Sequence, residues 1–134
     1  MGYLPHIHTT MKTNTELQDL LTWALKYNKT AKIEGDYVVI NGDFNCSNNK
    51  LTSLPESIGN LKVNGDFYCN DNQLTSLPDS IGNMKLNGYF NCYNNKLTSL
   101  PDSIGNLKIN GGFYCSYNKL TSLPESIGNL KVNG

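Results

Sequence analysis

From Asn41 onward the apolar positions return at a fixed interval. Four segments align without a gap: NGDFNCSNNKLTSLPESIGNLKV from Asn41, NGDFYCNDNQLTSLPDSIGNMKL from Asn64, NGYFNCYNNKLTSLPDSIGNLKI from Asn87 and NGGFYCSYNKLTSLPESIGNLKV from Asn110, a unit of 23 residues. A unit this short hides its apolar edge only against the next copy, so the pattern predicts a stacked column in place of a spherical core. Within each unit phenylalanine and cysteine alternate with polar residues, as in Phe67-Tyr68-Cys69, which is the period of a half-buried strand. Strands one period apart are expected to pair in parallel. The following S-L-P-[ED]-S-I-G-N predicts one helical turn, with proline at its start, an acid on its N-terminal dipole and glycine at its end. Leu54, Ile58, Leu61, Val63 and their copies are expected to fill the column. Gly42, Gly65, Gly88 and Gly111 stand where the chain enters each strand, a place that suits a positive φ or a close backbone approach.

The segment before the repeats reads as a cap for the first open end of the column. Thr13 and Glu16 make a capping box, and Leu17, Leu20, Leu21 and Ala24 follow on one helical face, widened by Trp23, Leu25 and Tyr27. A helix over 14–28 is expected. Glu34-Gly35-Asp36-Tyr37 echoes Asn64-Gly65-Asp66-Phe67, so a short strand near 36–40 should lead into the first repeat, for five or six strands in all. The domain boundaries are then 1–12, a leader or appended segment without order; 13–40, the cap; and 41–134, four repeats and the start of a fifth. No capping segment follows Val132, so that end reads as open, a place for an end-to-end homodimer or larger homo-oligomer.

After each strand comes N-x-L-x-x-L-P. With Phe67 and Cys69 at its middle apolar positions and Asn72 and Leu74 completing it, the unit resembles the leucine-rich-repeat signature L-x-x-L-x-L-x-x-N-x-L, over residues 41–132 and in four in-register copies. One departure is visible, because Val63 precedes Asn64-Gly65 and so shifts the first apolar position. The resemblance implies an α/β repeat solenoid with parallel strands on one face and short helical or 3₁₀ segments on the other. It also implies a non-enzymatic protein–protein recognition role, and a ladder of Asn49, Asn72, Asn95 and Asn118 whose buried amides satisfy backbone groups. The layout of capping helix and G-[DGY]-F-x-C-x-x-N-x-L-T-S-L repeats further resembles small leucine-rich proteins encoded by bacteriophages and giant viruses. N-x-L-T-x-L-P is shared with bacterial effector repeats, whose ligase domain has no counterpart in this sequence. The viral resemblance implies two narrower roles: a phage-encoded inhibitor of a host defence protein, in the manner of anti-CRISPR counter-defence, or a virion-associated structural element.

Composition narrows the chemistry. The 134 residues fit one domain, the net charge is zero, and all eleven basic residues are lysine, so bidentate arginine contacts to phosphates or guanine edges are unavailable and nucleic acid is not the expected partner. Neither a transmembrane run of roughly 18 to 20 apolar residues nor a secretory leader is present, which points away from membranes and toward the cytoplasm. Cys46, Cys69, Cys92 and Cys115 form a ladder. Strand spacing of about 4.8 Å exceeds the roughly 3.8 Å Cβ separation of a relaxed disulfide, and a linear column cannot surround a tetrahedral ion, so buried free thiols are expected. Both histidines, His6 and His8, fall in the leader, leaving no serine or cysteine of the repeats with a fixed base. No catalytic residue, metal or cofactor is therefore expected. Asp43, Asp66 and Asp71 could gather calcium at one edge, yet they match neither an EF-hand loop nor glycine-aspartate calcium repeats. Columns of Lys62, Lys85, Lys108, Lys131 and of Glu56, Asp79, Asp102, Glu125 are expected to be solvated and to offset one another.

Near-identical repeats make their disagreements informative. Core positions hardly vary, whereas the outward strand positions change from row to row. Those rows are Asp43, Asn45, Ser47, Asn48; Asp66, Tyr68, Asn70, Asp71; Tyr89, Asn91, Tyr93, Asn94; and Gly112, Tyr114, Ser116, Tyr117. Carboxylates gather in the first half and four of the five tyrosines in the second, a mixture similar to binding surfaces built from Tyr, Asn, Ser and Gly. The expected partner-binding residues are the tyrosines 68, 89, 93, 114 and 117, the asparagines 45, 70 and 91, and Asp43, Asp66 and Asp71, with Tyr93 and Tyr114 as anchors. Neutral diversification of a β surface is the alternative explanation.

Overall fold

A computed structural model describes residues 13–132. The leader, His6, His8 and the start of a fifth repeat lie outside the described residues.

Helix α1 runs Asn14–Leu25 and opens with the expected capping box: the Thr13 hydroxyl accepts from the Glu16 N–H, and the Glu16 carboxylate accepts from the Thr13 N–H, each at 3.1 Å. Leu17, Leu20 and Ala24 are buried, while Trp23 and Tyr27 lean on Phe44 with ring centroids 5.3 and 5.7 Å away. The helix thus closes the N-terminal end of the column. It stops short of residue 28, because the N–H groups of Tyr27 and Asn28 both turn back to the Ala24 carbonyl. Leu25, the last helical residue, is 42% exposed and does not join the core.

Eight strands are described, not five or six, and they form two sheets. The first contains β1 (Lys32–Glu34), β2 (Tyr37–Ile40), β4 (Leu61–Val63) and β6 (Lys85–Leu86), in that order, and single bridges at Lys108 and Lys131 extend it. The second contains β3 (Phe44–Asn45), β5 (Phe67–Tyr68), β7 (Phe90–Asn91) and β8 (Phe113–Tyr114). Each repeat therefore crosses both sheets, L-K-V in one and F-x-C in the other, and turns between them at Asn-Gly. Pairing is parallel throughout except for the β1–β2 hairpin, whose tip is Gly35 at φ +61°. The echo of Gly35-Asp36-Tyr37 with Gly65-Asp66-Phe67 is not the structural register. Val38 pairs with Leu61 and Ile40 with Val63, so β2 is equivalent to the L-K-V strand, not to F-x-C.

The outer leg is 3₁₀, at Ile58–Asn60, Asp79–Asn83, Asp102–Asn106 and Glu125–Asn129. Pro78, Pro101 and Pro124 precede these turns in extended conformation, and the Pro78 carbonyl accepts from the Ile81 N–H at 3.0 Å. Inside, Phe44, Phe67, Phe90 and Phe113 stack at 5.5, 5.4 and 5.4 Å between centroids, with Leu54, Ile58, Leu61 and Val63 and most of their copies buried around them. The strand-entry glycines serve two ends: Gly42 has φ +92°, whereas Gly88 has no positive φ but lies so close to its neighbour that a Cβ would overlap Asp66 Oδ1.

The asparagine ladder forms as the leucine-rich-repeat resemblance implies. Asn95 donates to the carbonyls of Cys69 and Cys92 at 3.0 and 3.1 Å, and its Oδ1 accepts from the Leu74 N–H at 3.0 Å. Each cysteine carbonyl also receives the asparagine of its own or the next repeat, so Asn95→Ala orphans Leu74 N–H but only halves the support of the two carbonyls. Urea denaturation is expected to show a loss of about 2 to 3 kcal/mol, against less than about 1 kcal/mol for Asn49→Ala at the exposed start of the ladder.

Candidate protein-binding face

The second sheet turns its polar residues outward, and its register sets Asn45, Tyr68, Asn91 and Tyr114 side by side in one row. The structure gives these outward residues unequal freedom. Asp43 Oδ1 accepts from the Asp66 backbone N–H, and Asp66 Oδ1 accepts from the Tyr89 N–H, both at 2.8 Å, so each carboxylate fastens the next repeat. Asp66 Oδ2 also accepts from the Tyr68 hydroxyl at 2.8 Å; that bond, with burial behind it, pushes the tyrosine up to about 12. Asp71 accepts from the side-chain amides of Asn70 and Asn94 at 2.6 and 2.8 Å. Asn45 and Asn91 fold back as local turns, their Oδ1 atoms accepting from the Ser47 and Tyr93 N–H groups at 2.9 and 3.0 Å. The acids and asparagines of the predicted site thus hold the scaffold. The same engagement, more than their spacing, describes Asp43, Asp66 and Asp71 best; among the described residues no cluster of three or more metal-ligating side chains occurs.

The tyrosines are different. Tyr89, Tyr114 and Tyr117 are 41%, 45% and 72% exposed, and they gather on the third and fourth repeats. Tyr89 meets Tyr114 edge to face at 5.7 Å, and Tyr117 stacks on the half-buried Tyr93 at 5.0 Å. Two glycines make room for this: a Cβ on Gly111 would overlap the Tyr89 ring, and one on Gly112 would crowd the Tyr114 hydroxyl. Gly112 stands where the earlier repeats carry Asp43, Asp66 and Tyr89, so its small size is particular to the tyrosine cluster. Tyr93 and Tyr114, the expected anchors, are both in the cluster, while Tyr68, on the second repeat, is tied to Asp66.

One feature of this face went unread in the sequence. Asn48, Asp71, Asn94 and Tyr117 occupy equivalent positions and all have left-handed backbone, with φ of 58°, 56°, 55° and 56°. Asparagine and aspartate tolerate that region; tyrosine does so at a cost. A column of Asn and Asp was the available signal.

Two sheets, parallel apart from the β1–β2 hairpin, with 3₁₀ turns and one capping helix make this chain an α/β repeat solenoid whose fold is like that of leucine-rich repeats, an architecture whose usual work is non-enzymatic protein interaction. The Leucine Rich Repeat family model matches residues 43–61, from the first outward aspartate to the start of β4. No curated protein matches the chain. No helix of the described residues is long and apolar enough to cross a membrane.

Proposed function

We propose that the protein grips a partner protein through the tyrosine cluster of the third and fourth repeats. The observation that carries this reading is Tyr117, a large aromatic side chain 72% exposed on a left-handed backbone that the other repeats assign to Asn or Asp. Neutral drift disfavours such a residue, since it strains the fold and buries little; strain of this kind collects at functional positions. Tyr93, Tyr114 and Tyr89 complete a rigid aromatic surface of the type that dominates binding energy. The resemblance to small viral repeat proteins supports a narrower form, an inhibitor of a host defence protein acting in the host cytoplasm.

Tyr117→Asn separates recognition from drift. Relief of the backbone, about 1 to 2 kcal/mol, outweighs the lost stack on Tyr93, about 0.5 to 1 kcal/mol, so the variant is expected to be more stable by roughly 0.5 to 1 kcal/mol in urea denaturation. In affinity capture from the source cell, the same variant combined with Tyr114→Ala is expected to lose the partner that wild type retains. A stabilised variant that captures the same proteins in the same amounts defeats this reading.

A second reading is self-association through the fourth repeat. Leu123 and Val132 are 52% and 37% exposed beside a hollow of ≈ 540 Å³ that Phe113, Ile127 and Leu130 also line. A second copy stacked there would continue the column. Light scattering showing monomer alone at high micromolar concentration would exclude it.

A further inference from the structure

A groove of ≈ 1400 Å³ lies along the first sheet; Lys85, Lys108 and Lys131, Asn83, Asn106 and Asn129, and a single carboxylate, Glu16, are among the residues that line it. The lysines stand in strict register: Lys62 pairs with Lys85, Lys85 with Lys108, and Lys108 with Lys131. Like charges directly opposite one another in a sheet repel, and at strand spacing of about 4.8 Å they lie well inside the Debye length of roughly 8 Å. The offset expected from the acidic column does not form as contacts. Among the described residues no carboxylate comes within ion-pair distance of Lys62, Lys85, Lys108 or Lys131; the recorded pair is Lys32 with Glu34, at 3.0 Å. The result is a line of three ammonium groups against one carboxylate, Glu16, in an amide-lined groove, an excess of positive charge that its walls focus.

The first station of this groove shows what fits it. Asn60, the equivalent of Asn83, Asn106 and Asn129, donates its side-chain amide to the backbone carbonyl of Asp36 at 2.9 Å. Beside it, Lys85 Nζ lies 5.5 Å from the centre of the Tyr37 ring. The β1–β2 hairpin tip, Glu34-Gly35-Asp36-Tyr37, thus lies on the groove as an acidic peptide with its carbonyl held by asparagine and its aromatic ring under lysine. At the three later stations the side-chain amides of Asn83, Asn106 and Asn129 take no hydrogen bond within the described residues. We infer that this groove binds an extended acidic peptide segment of a partner protein, laid along the solenoid axis, with Asn83, Asn106 and Asn129 on its backbone and the lysine row on its carboxylates. Amides that already hold a peptide carbonyl favour a peptide over a polynucleotide, as does the absence of arginine.

The test uses the full chain and a fluorescein-labelled oligo-glutamate peptide, followed by anisotropy at low and at physiological salt. Wild type is expected to bind, with affinity falling as salt rises. Lys108→Gln/Lys131→Gln is expected to weaken binding roughly three- to tenfold, whereas Lys96→Gln/Lys119→Gln, which removes the same charge from another column, changes it by less than about twofold. In wild type, titration of the peptide should shift the side-chain amide NMR signals of Asn83, Asn106 and Asn129, a readout that does not depend on any variant folding. Equal losses from the two lysine pairs, unmoved asparagine signals, or tighter binding of oligothymidylate than of oligo-glutamate would each overturn the proposal. The tyrosine cluster is untouched by these substitutions, so either surface can fail alone.

Discussion

Phe67→Ala is expected to destabilise the protein by about 4 to 5 kcal/mol, and Phe113→Ala by about half as much. Phe67 is fully buried, with Phe44 stacked on one face and Phe90 on the other at interplanar angles of 14° and 10°. Truncating it removes both stacks and leaves a cavity whose walls cannot approach, because the Phe44, Phe67 and Phe90 backbones are spaced by the strand ladder. Phe113 is half-buried and stacks on Phe90 alone. Since each repeat is stabilised mainly by its neighbours, the loss at Phe67 should also uncouple the two ends of the column. Trp23, the single tryptophan, rests on Phe44 and so reports the capped end, while far-ultraviolet circular dichroism reports the whole chain. In urea the two signals are expected to coincide for wild type and to separate for Phe67→Ala. Equal costs at Phe67 and Phe113 would show that the column does not act as a stack.

The parts of the fold that were legible are those that the repeat multiplies. A phenylalanine at every twenty-third position predicts the pairing of Phe44, Phe67, Phe90 and Phe113, and the asparagine three residues beyond each cysteine predicts the amide ladder. Of the first sheet only β2 was expected, near 36–40; its partners β4 and β6 were missed because they are only three and two residues long. Leu61-Lys62-Val63 buries, exposes and buries, but a single alternation cannot be told from the edge of a column. Strand β1 had still less signal, as Lys32-Ile33-Glu34 has no copy in the repeats and exists by closing a hairpin at Gly35. That same glycine made the cap look like a repeat one strand too early.

On the outward face of the second sheet, the repeat marks which positions vary but not what each side chain holds. Outward residues at Asp43 and Asp66 read as contact groups because they are polar and variable; nothing in one repeat shows that the carboxylate reaches the backbone N–H of the next. Tyr93 and Tyr114 were legible as a cluster because register alone brings the third and fourth repeats together. The strain at Tyr117 and the room made by Gly112 required backbone angles and distances.

Alkaline sensitivity is the other large effect that the column predicts. Cys46, Cys69 and Cys92 are fully buried free thiols, and burial pushes Cys46 from an ordinary value of 9.0 up to about 12 and raises Cys69 and Cys92 in the same direction. In the unfolded chain these groups ionise near the ordinary value, while in the native column they keep their protons. Above about pH 9 the native state therefore binds more protons than the unfolded state, and stability falls as pH rises toward 12; below about pH 9 it is fully present. Each thiol contributes a slope of about 1.4 kcal/mol per pH unit, and the three together about 4 kcal/mol per unit, a large share of the roughly 5 to 15 kcal/mol typical of a domain. With reductant present, the urea midpoint is expected to drop sharply between about pH 8 and about pH 10, before Tyr68 joins the titration. Replacing the three cysteines by alanine should flatten that dependence even if it lowers the midpoint at pH 8. A wild-type midpoint unchanged at the higher pH, or an undiminished slope in the triple variant, would mean that the thiols are not held dry inside the stack.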